Sequence, residues 1–199
     1  MKLLLLLLSL LCFSSLSVNA DTSLYERGKD LIEEKDYEKA LKAFELAAKT
    51  GDLDALTAVG IMYIGGWCIE QNDAKGFEYI LKAANQSHPK AQYTLGALYY
   101  LGIGVSLDYE KAFSWINLSA KQGYLDAQHN LAEMYENGKG TSKSLEKAYE
   151  YYIIAARRDS IESQIKIAEM YREGIGTEKN IEKSEYWLKR VEELKGVSK

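Results

Sequence analysis

Residues 138–144 read Gly-Lys-Gly-Thr-Ser-Lys-Ser, a composition found in loops that cradle phosphate with backbone amides. A phosphate-binding loop of that kind needs a glycine, four further residues and then Gly-Lys-Ser/Thr, directly after a strand. Glu133 stands where the first glycine would be, and Lys139 is followed by glycine. A predicted helix precedes the segment in place of a strand. The pattern therefore predicts a turn and no phosphate site.

Neither histidine of the chain stands at a spacing that catalysis or metal binding requires. His129 lies in a predicted helix, and His88 comes directly before the single proline. Nucleophilic catalysis needs a serine or cysteine beside a base, and zinc needs several cysteine or histidine ligands. The adjacent acids Glu192 and Glu193 are interpreted as solvated charge. The sequence predicts no catalytic residue, no metal ion and no cofactor.

Cys68 is the one cysteine that follows the amino-terminal segment. A single cysteine cannot form a disulfide within its own chain, so no internal disulfide is expected. Two interpretations remain: a small buried side chain, which we favour, and a free thiol that pairs between molecules. Asn85 and Asn117 begin Asn-x-Ser/Thr tripeptides, the acceptors of N-glycosylation in a eukaryotic secretory pathway. Asn117 is the poorer candidate, because Ser119 is predicted to pack inward.

Composition and charge exclude several classes of protein. Apolar residues make up 47% of the chain and charged residues 27%, which is typical of a globular core with a solvated surface. The net charge of −4 argues against nucleic acid as a partner, because binding to phosphates needs clustered Lys and Arg. One proline in 199 residues suits uninterrupted helices.

Residues 1–20 have the layout of a secretory signal peptide. Lys2 precedes an apolar run, and small residues at Val18 and Ala20 predict cleavage before Asp21. The apolar run is shorter than the roughly 20 residues that a membrane-spanning helix needs. Attachment of lipid at Cys12 is a weaker alternative, because Leu11 stands where the lipoprotein peptidase requires a small residue. We therefore expect an exported protein without a stable membrane span.

The rest of the chain repeats itself at a shift of 36 residues. Tyrosines and glycines fall in register at Tyr63, Tyr99, Tyr135 and Tyr171, and at Gly66, Gly102, Gly138 and Gly174. Within one unit, apolar residues at spacings of three and four predict a first helix, which Gly102 ends. Asp108 is placed to cap a second helix. Each unit is therefore predicted to be a pair of helices.

The second unit contains Ala91, Leu95, Gly96, Tyr99, Gly102, Gly104, Asp108, Lys111, Ala112, Trp115, Ser119 and Ala120. This pattern closely resembles the Sel-one-like repeat, a relative of the tetratricopeptide repeat. The resemblance implies an all-α fold, a right-handed α-solenoid of antiparallel helix pairs. We predict a tetratricopeptide-like helix pair at 21–54, repeats at 55–90, 91–126 and 127–162, and a fourth repeat with a carboxy-terminal cap at 163–199.

In such arrays the first helix of each unit lines a concave face. The resemblance to tetratricopeptide arrays places the partner-binding positions on the stripe opposite the packing stripe, where side chains are expected to have no packing role. Carried over residue by residue, this stripe predicts a groove formed by Thr57, Ile61, Ile64, Tyr93, Ala97, Tyr100, His129, Glu133, Glu136, Ile165, Glu169 and Arg172.

The predicted groove is apolar and aromatic in its amino-terminal half and acidic in its carboxy-terminal half. Our hypothesis is a ligand segment with apolar side chains at one end and Lys or Arg at the other. The alternative is that the acids form an ordinary solvated helix face.

The resemblance implies a non-enzymatic adaptor or scaffold that binds a protein or peptide partner, here in the periplasm or outside the cell. Two alternatives stay open: an enzyme or enzyme inhibitor acting on the cell envelope, and a secreted effector acting on a host. Relatives linked to penicillin-related chemistry carry a disulfide in each repeat. The lone Cys68 counts against that branch.

Overall fold

The computed structural model describes residues 23–197, and within that range it contains ten α-helices and no strand. The helices are α1 Leu24–Glu33, α2 Tyr37–Lys49, α3 Leu53–Gly65, α4 Asp73–Ala84, α5 Pro89–Leu101, α6 Tyr109–Lys121, α7 Leu125–Asn137, α8 Leu145–Ala156, α9 Ile161–Glu173 and α10 Ile181–Val197. The predicted signal peptide and Cys12 lie outside the described residues.

Each helix packs mainly against its neighbours in the chain. α1 pairs with α2, α3 with α4, α5 with α6, α7 with α8, and α9 with α10, and each pair then packs on the next. Short connections force consecutive helices to lie antiparallel. A chain in which every pair contacts only adjacent pairs is a solenoid. The predicted all-α solenoid of helix pairs is confirmed.

The ends of the helices follow the repeat. The second helices of the first four pairs begin at a polar side chain that accepts a hydrogen bond from a backbone N–H of the first turn: Asp36, Asn72, Asp108 and Ser144. Four first helices end at a glycine in the left-handed conformation: Gly66, Gly102, Gly138 and Gly174. The predicted cap at Asp108 and the predicted stop at Gly102 are both confirmed. Such caps supply partners for groups that a helix end leaves unpaired.

The in-register tyrosines join the two helices of a pair. The Tyr99 carbonyl accepts a hydrogen bond of 2.9 Å from the N–H of Asp108, the residue that caps α6. Lys111, in the first turn of α6, places its ammonium 5.3 Å from the centre of the Tyr99 ring. The same lysine–tyrosine contact occurs in three other pairs, at Lys75 with Tyr63, Lys147 with Tyr135, and Lys183 with Tyr171. Cation–π attraction therefore adds to the stability of these four turns.

Buried glutamines join one helix pair to the next. Gln92, Gln128 and Gln164 each donate from Nε2 to a carbonyl at the end of the preceding helix, on Ala84, Ala120 and Ala156 respectively. A buried amide must find such partners, because an unpaired polar group costs free energy. These glutamines therefore fix the contact between successive pairs.

The second glycine of each turn holds successive repeats close together. Gly140 has φ +69°, and a Cβ at this position would overlap the carbonyl oxygen of Tyr109 at the start of α6. Gly104 and Gly176 make the same approach to Asp73 and Leu145. Only glycine combines the left-handed conformation with so close a contact between backbones.

Cys68 occupies the matching position in the first of these turns. Its side chain is exposed, so the favoured interpretation of a small buried side chain is wrong. Its φ of +59° puts a residue with a Cβ in the left-handed region. The neighbouring Trp67 ring packs against Tyr37, with ring centres 5.7 Å apart. The turn is held by an aromatic contact where the later repeats use a glycine.

Within residues 23–197, no helix is both long enough and apolar enough to cross a membrane.

Replacing Cys68 with glycine should stabilise the protein. A left-handed conformation costs a residue with a Cβ roughly 1–2 kcal/mol, and glycine avoids this cost. Part of the gain is lost, because glycine loses more backbone entropy on folding. We expect the free energy of unfolding to rise by about 0.5–1 kcal/mol, as measured by urea denaturation. Cys68→Ala is the control, because it removes the thiol and keeps the strained backbone. A glycine variant no more stable than the alanine variant would contradict the assignment of strain.

Candidate functional site

The predicted stripe of groove residues is more deeply packed than expected. Thr57 is fully buried, and its hydroxyl donates a 2.7 Å hydrogen bond to the Leu53 carbonyl inside α3. It cannot contact a partner, so its placement in the groove is wrong. The hydroxyl satisfies a backbone acceptor of its own helix, a common arrangement for threonine in a helix.

Four further members of the stripe pack partly against the core. Ile61 and Ile64 lie against the cluster around Leu95, and Tyr93 and Tyr100 lie against the cluster around Leu131. The premise that the stripe has no packing role is therefore wrong for these residues. The reason is the close stacking of the pairs, which brings the next first helix against this face. Ile165, Glu169 and Arg172 on α9 remain exposed.

A cleft of about 360 Å³ opens between α5 and α7, the first helices of two successive pairs. It is lined by four residues of α5, one of α6, four of α7 and one of the following turn: Tyr93, Ala97, Tyr100, Leu101, Ile116, Asn130, Glu133, Met134, Asn137 and Lys139. Four of these belong to the predicted stripe. Whether they bind a partner stays a prediction.

The cleft opens where a small side chain, Ala97, stands at a position that the other first helices give to a larger one. Ala97 faces it from α5, and the matching residue of α3 is Ile61. Asn130 faces it from α7, and the matching residue of α9 is Lys166, which reaches across to Glu136 at 3.1 Å. A longer side chain thus crosses the next gap, between α7 and α9. The gap between α5 and α7 is left open.

Paired aromatic rings form the two ends of the cleft. At one end Tyr93 packs against Tyr124, with ring centres 5.3 Å apart, and its hydroxyl accepts a 3.0 Å hydrogen bond from Asn130. Burial raises the pKa of Tyr93, and burial together with Asp126 raises the pKa of Tyr124 to about 12. At the other end Tyr100 meets Tyr109 edge to face at 5.0 Å. Such pairs are rigid, because tyrosine has few rotatable bonds and each ring braces the other.

Lys139 places a positive charge at the second aromatic end. Its ammonium donates a short hydrogen bond to the Tyr100 hydroxyl and lies 4.7 Å from the Tyr100 ring centre and 5.4 Å from that of Tyr109. The hydrogen bond to Tyr100 raises the pKa of Lys139, so the group is cationic at neutral pH. The sequence predicted that residues 138–144 form a turn, but it did not predict that Lys139 lines a cleft.

One acid of the predicted groove, Glu136, is already paired within the protein. Both carboxylate oxygens of Glu136 lie within 3.2 Å of the Lys166 ammonium, and one also accepts a 2.7 Å hydrogen bond from Tyr152. Glu133 keeps about half of its side chain exposed, and one of its carboxylate oxygens lies 3.8 Å from Nε2 of His129. Glu136 is therefore already paired within the protein, and the hypothesis that these acids meet Lys or Arg of a ligand stays a prediction. The sequence could not show this, because Lys166 and Tyr152 come from other helices.

The fold brings a serine and an acid to His129, a grouping that sequence spacing missed. Its Nδ1 lies 2.8 Å from the Ser163 hydroxyl, and its Nε2 lies 3.8 Å from Glu133. A catalytic triad needs a serine that a substrate can reach. Ser163 has no exposed surface, and it also accepts a 3.0 Å hydrogen bond from Ser160. This trio joins α7 to α9 and is not a nucleophilic site.

Among the described residues, no group of three or more His, Cys, Asp and Glu side chains is placed to hold a metal ion.

Five consecutive segments match the sequence pattern of the Sel1 repeat, which is the Sel-one-like repeat of the sequence analysis. They are residues 20–52, 53–88, 89–124, 125–160 and 161–191. The first of them covers α1 and α2, the pair that looked like an ordinary tetratricopeptide repeat. No curated protein matches the chain in sequence.

Solved structures with this fold come from several bacteria. The chain is similar to c5321, a protective antigen present in uropathogenic Escherichia coli strains with an SLR fold, at 26% identity and a TM-score of 0.79. The likeness covers 86% of this chain and 38% of c5321. A Sel1 repeat protein from Oxalobacter formigenes is 29% identical with a TM-score of 0.74, over 79% of this chain and 46% of that one. The chain thus spans less than half the length of these two proteins.

A sel1 repeat protein from Klebsiella pneumoniae is 22% identical with a TM-score of 0.57, and the likeness covers 88% of this chain and 92% of that chain. This similarity concerns the fold alone.

The Tyr152 hydroxyl should make stability fall at alkaline pH. Burial and the hydrogen bond to Glu136 raise the pKa of Tyr152 above its usual value near 10. The unfolded chain therefore loses this proton at lower pH than the folded protein does. The resulting stabilisation is complete below about pH 10 and declines as the pH rises further.

Tyr152→Phe removes that proton, so its free energy of unfolding should fall less between pH 9 and pH 11 than that of the wild type. Urea denaturation at both pH values measures the difference. Tyr186→Phe is the control, because Tyr186 is more than half exposed. If Tyr152→Phe loses as much stability as the control, the account of the Tyr152–Glu136 contact is wrong.

Proposed function

Because the chain belongs to the Sel1 repeat family, whose members generally serve as scaffolds for protein interactions, we propose that it binds a protein partner in the cleft between α5 and α7. The observation that carries the proposal is the cleft itself. It lies on the side of the array formed by first helices, and the next gap, between α7 and α9, is crossed by the Lys166–Glu136 ion pair.

The chemistry of the cleft suits a segment of another protein. Its walls are apolar or aromatic, and a few polar groups stand at defined points along it. Sites of this kind derive affinity from buried apolar area and orientation from the polar groups. The tyrosines are held in place by their ring partners before a ligand arrives, which lowers the entropy lost on binding.

The proposed role is that of a non-enzymatic scaffold. The grouping most like a catalytic centre, His129 with Ser163 and Glu133, is built around a serine without exposed surface. Its hydrogen bonds join two helix pairs, which accounts for these residues without chemistry on a substrate. The family supports the same role, since it generally serves for assembly.

We further propose that the protein is exported and acts in the periplasm or outside the cell. The support is the layout of residues 1–20, with Lys2, an apolar run and small residues before Asp21.

Filling the cleft should abolish binding of the partner while leaving the fold intact. Ala97→Trp places a large ring between α5 and α7, at a position that carries Ile61, Glu133 or Glu169 in other repeats. We expect proteins captured on the wild type to be lost at least roughly tenfold on this variant, because a filled pocket cannot bury the partner's side chain. Quantitative mass spectrometry of the captured proteins measures this.

Ala74→Trp is the matched control, since Ala74 is an exposed alanine in the first turn of α4. Circular dichroism checks that all three proteins have equal helix content. Capture of the same proteins in equal amounts by all three would contradict the proposal that the cleft is the binding site.

A further inference from the structure

The outer face of α10 carries an exposed leucine at a position that every earlier second helix buries. Leu188 exposes 42% of its surface. None of the matching residues exposes more than 3%: Phe44, Ile80, Ile116 and Tyr152. Each of these is covered by the helix pair that follows, and within residues 23–197 no later pair covers Leu188. An apolar contact that is made four times in the array is therefore left without its second half.

Two glutamates flank Leu188 on the same side of α10. Glu185 and Glu192 stand one turn before and one turn after it, and both are exposed. Within the described residues neither forms an ion pair, whereas Arg190 of the same helix pairs with Asp159 at 2.6 Å. We call Glu185, Leu188 and Glu192 together the end face.

The earlier second helices have apolar residues where the end face has its glutamates. In α4, α6 and α8 both positions pack in the apolar clusters between successive pairs, at Phe77 and Ala84, Phe113 and Ala120, and Tyr149 and Ala156. The end face therefore keeps the central apolar residue of this contact and replaces both flanking residues with negative charge.

The amino-terminal end of the described array differs. α1 aligns with α3 through Gly28 and Gly60, which make the same close approach to the second helix of their own pair. At this alignment Arg27 stands where α3 buries Val59, and its guanidinium pairs with Glu34 at 3.4 Å. That end replaces an apolar contact residue with a paired charge, which suits a face that meets only solvent. The end face has an exposed leucine and unpaired acids instead.

Contacts inside the array show what a helix on the end face would meet. α5 covers α4 with three residues that lie along one side of the helix: Gln92, Leu95 and Tyr99. Gln92 donates to the carbonyl of Ala84, Leu95 packs in the same cluster as Ile80, and Tyr99 meets Phe77 edge to face. The residues of α10 that match these three contacts are Glu192, Leu188 and Glu185.

We propose that the end face binds an amphipathic helix of a partner protein, in which Lys or Arg stands on both sides of a Leu or Ile. The apolar side chain takes the place that Leu95 has on α4 and covers Leu188. The two basic side chains take the places of Gln92 and Tyr99 and pair with the glutamates. This surface is separate from the cleft between α5 and α7.

Charge complementarity favours such a partner over a second copy of the chain. Two end faces in contact would bring Glu185 and Glu192 of one α10 against the same acids of the other, and like charges repel. The amino-terminal pair of a second copy also lacks the turn that later pairs use for stacking. Only residues 34–36 connect α1 to α2, in place of a turn such as that of Gly140.

Two helical peptides test the proposal on the purified chain. Both have the sequence of residues 89–101, with a hydrocarbon staple on the side away from Leu95, because an isolated helix of this length is unstable. One carries Gln92→Arg and Tyr99→Arg, and the other carries Gln92→Glu and Tyr99→Glu. We expect the arginine peptide to bind at least roughly tenfold more tightly, since two ion pairs replace two like-charge contacts. Fluorescence anisotropy of the labelled peptides measures the ratio.

A charge reversal on the protein provides the matched comparison. Glu185→Lys combined with Glu192→Lys should reverse the preference, so that the glutamate peptide binds more tightly. Glu182→Lys combined with Glu193→Lys is the control, because it changes the net charge equally at exposed acids on the neighbouring side of α10. The control should still prefer the arginine peptide. Circular dichroism checks that all three proteins have equal helix content.

Equal binding of the two peptides, no binding of either, or a preference that survives the charge reversal would overturn the proposal. So would a dimer of the wild type in analytical ultracentrifugation that Leu188→Lys converts to a monomer, because the occupant would then be a second copy. None of these results concerns the cleft, which the capture experiment with Ala97→Trp tests separately.

Discussion

The close approach of each glycine turn to the preceding helix pair is the contact on which the rest of the structure depends. Gly140 packs directly on the backbone of Tyr109, and Gly104 and Gly176 do the same one repeat earlier and one repeat later. This contact sets the distance and the angle between successive pairs. The buried glutamines and the inward tyrosines have partners because that spacing is constant. The first helices therefore lie side by side at a constant spacing. The side chains on their outer faces can differ from one repeat to the next.

Variation on this constant frame creates the candidate site. The same position carries Ile61 in one first helix and Ala97 in the next, and the position that holds Asn130 in α7 holds Lys166 in α9. Large side chains close the gap in which they stand, and small ones leave it open. Lys139 follows the same rule in the turn, where isoleucine would add to the core. In such an array, the residues that differ between repeats determine where a binding site can form.

The period of the repeat and the pairing of its helices could be predicted from the sequence. Glycine and tyrosine recur at one period, and helix caps such as Asp108 follow from local chemistry that needs no tertiary information. The binding stripe could be predicted only in part. Helical periodicity gives the face on which Thr57 or Tyr93 lies, but it does not show how deeply the next pair covers that face. The burial of Thr57 could not be predicted for this reason, nor could the packing of Tyr100 against Tyr109.

Contacts between repeats were beyond the reach of sequence reasoning. Lys166 neutralises Glu136 from 30 residues away, and Ser163 meets His129 across the same interface. The exposure of Cys68 was likewise missed, although the sequence held a signal: the matching residues of the later repeats, Gly104, Gly140 and Gly176, are all glycine. A position that elsewhere requires glycine predicts a residue held in a strained turn, not one buried for its size.

Site-specific photo-crosslinking tests the central claim most directly. Leu101 lines the cleft and is 61% exposed, and Leu118 lies on the exposed face of α6 at 45%. A photoreactive amino acid replaces each in turn, and the protein is irradiated in its own cells. Our account predicts a covalent adduct with a partner protein from position 101 and none from position 118. An adduct from position 118 with none from position 101 would contradict it.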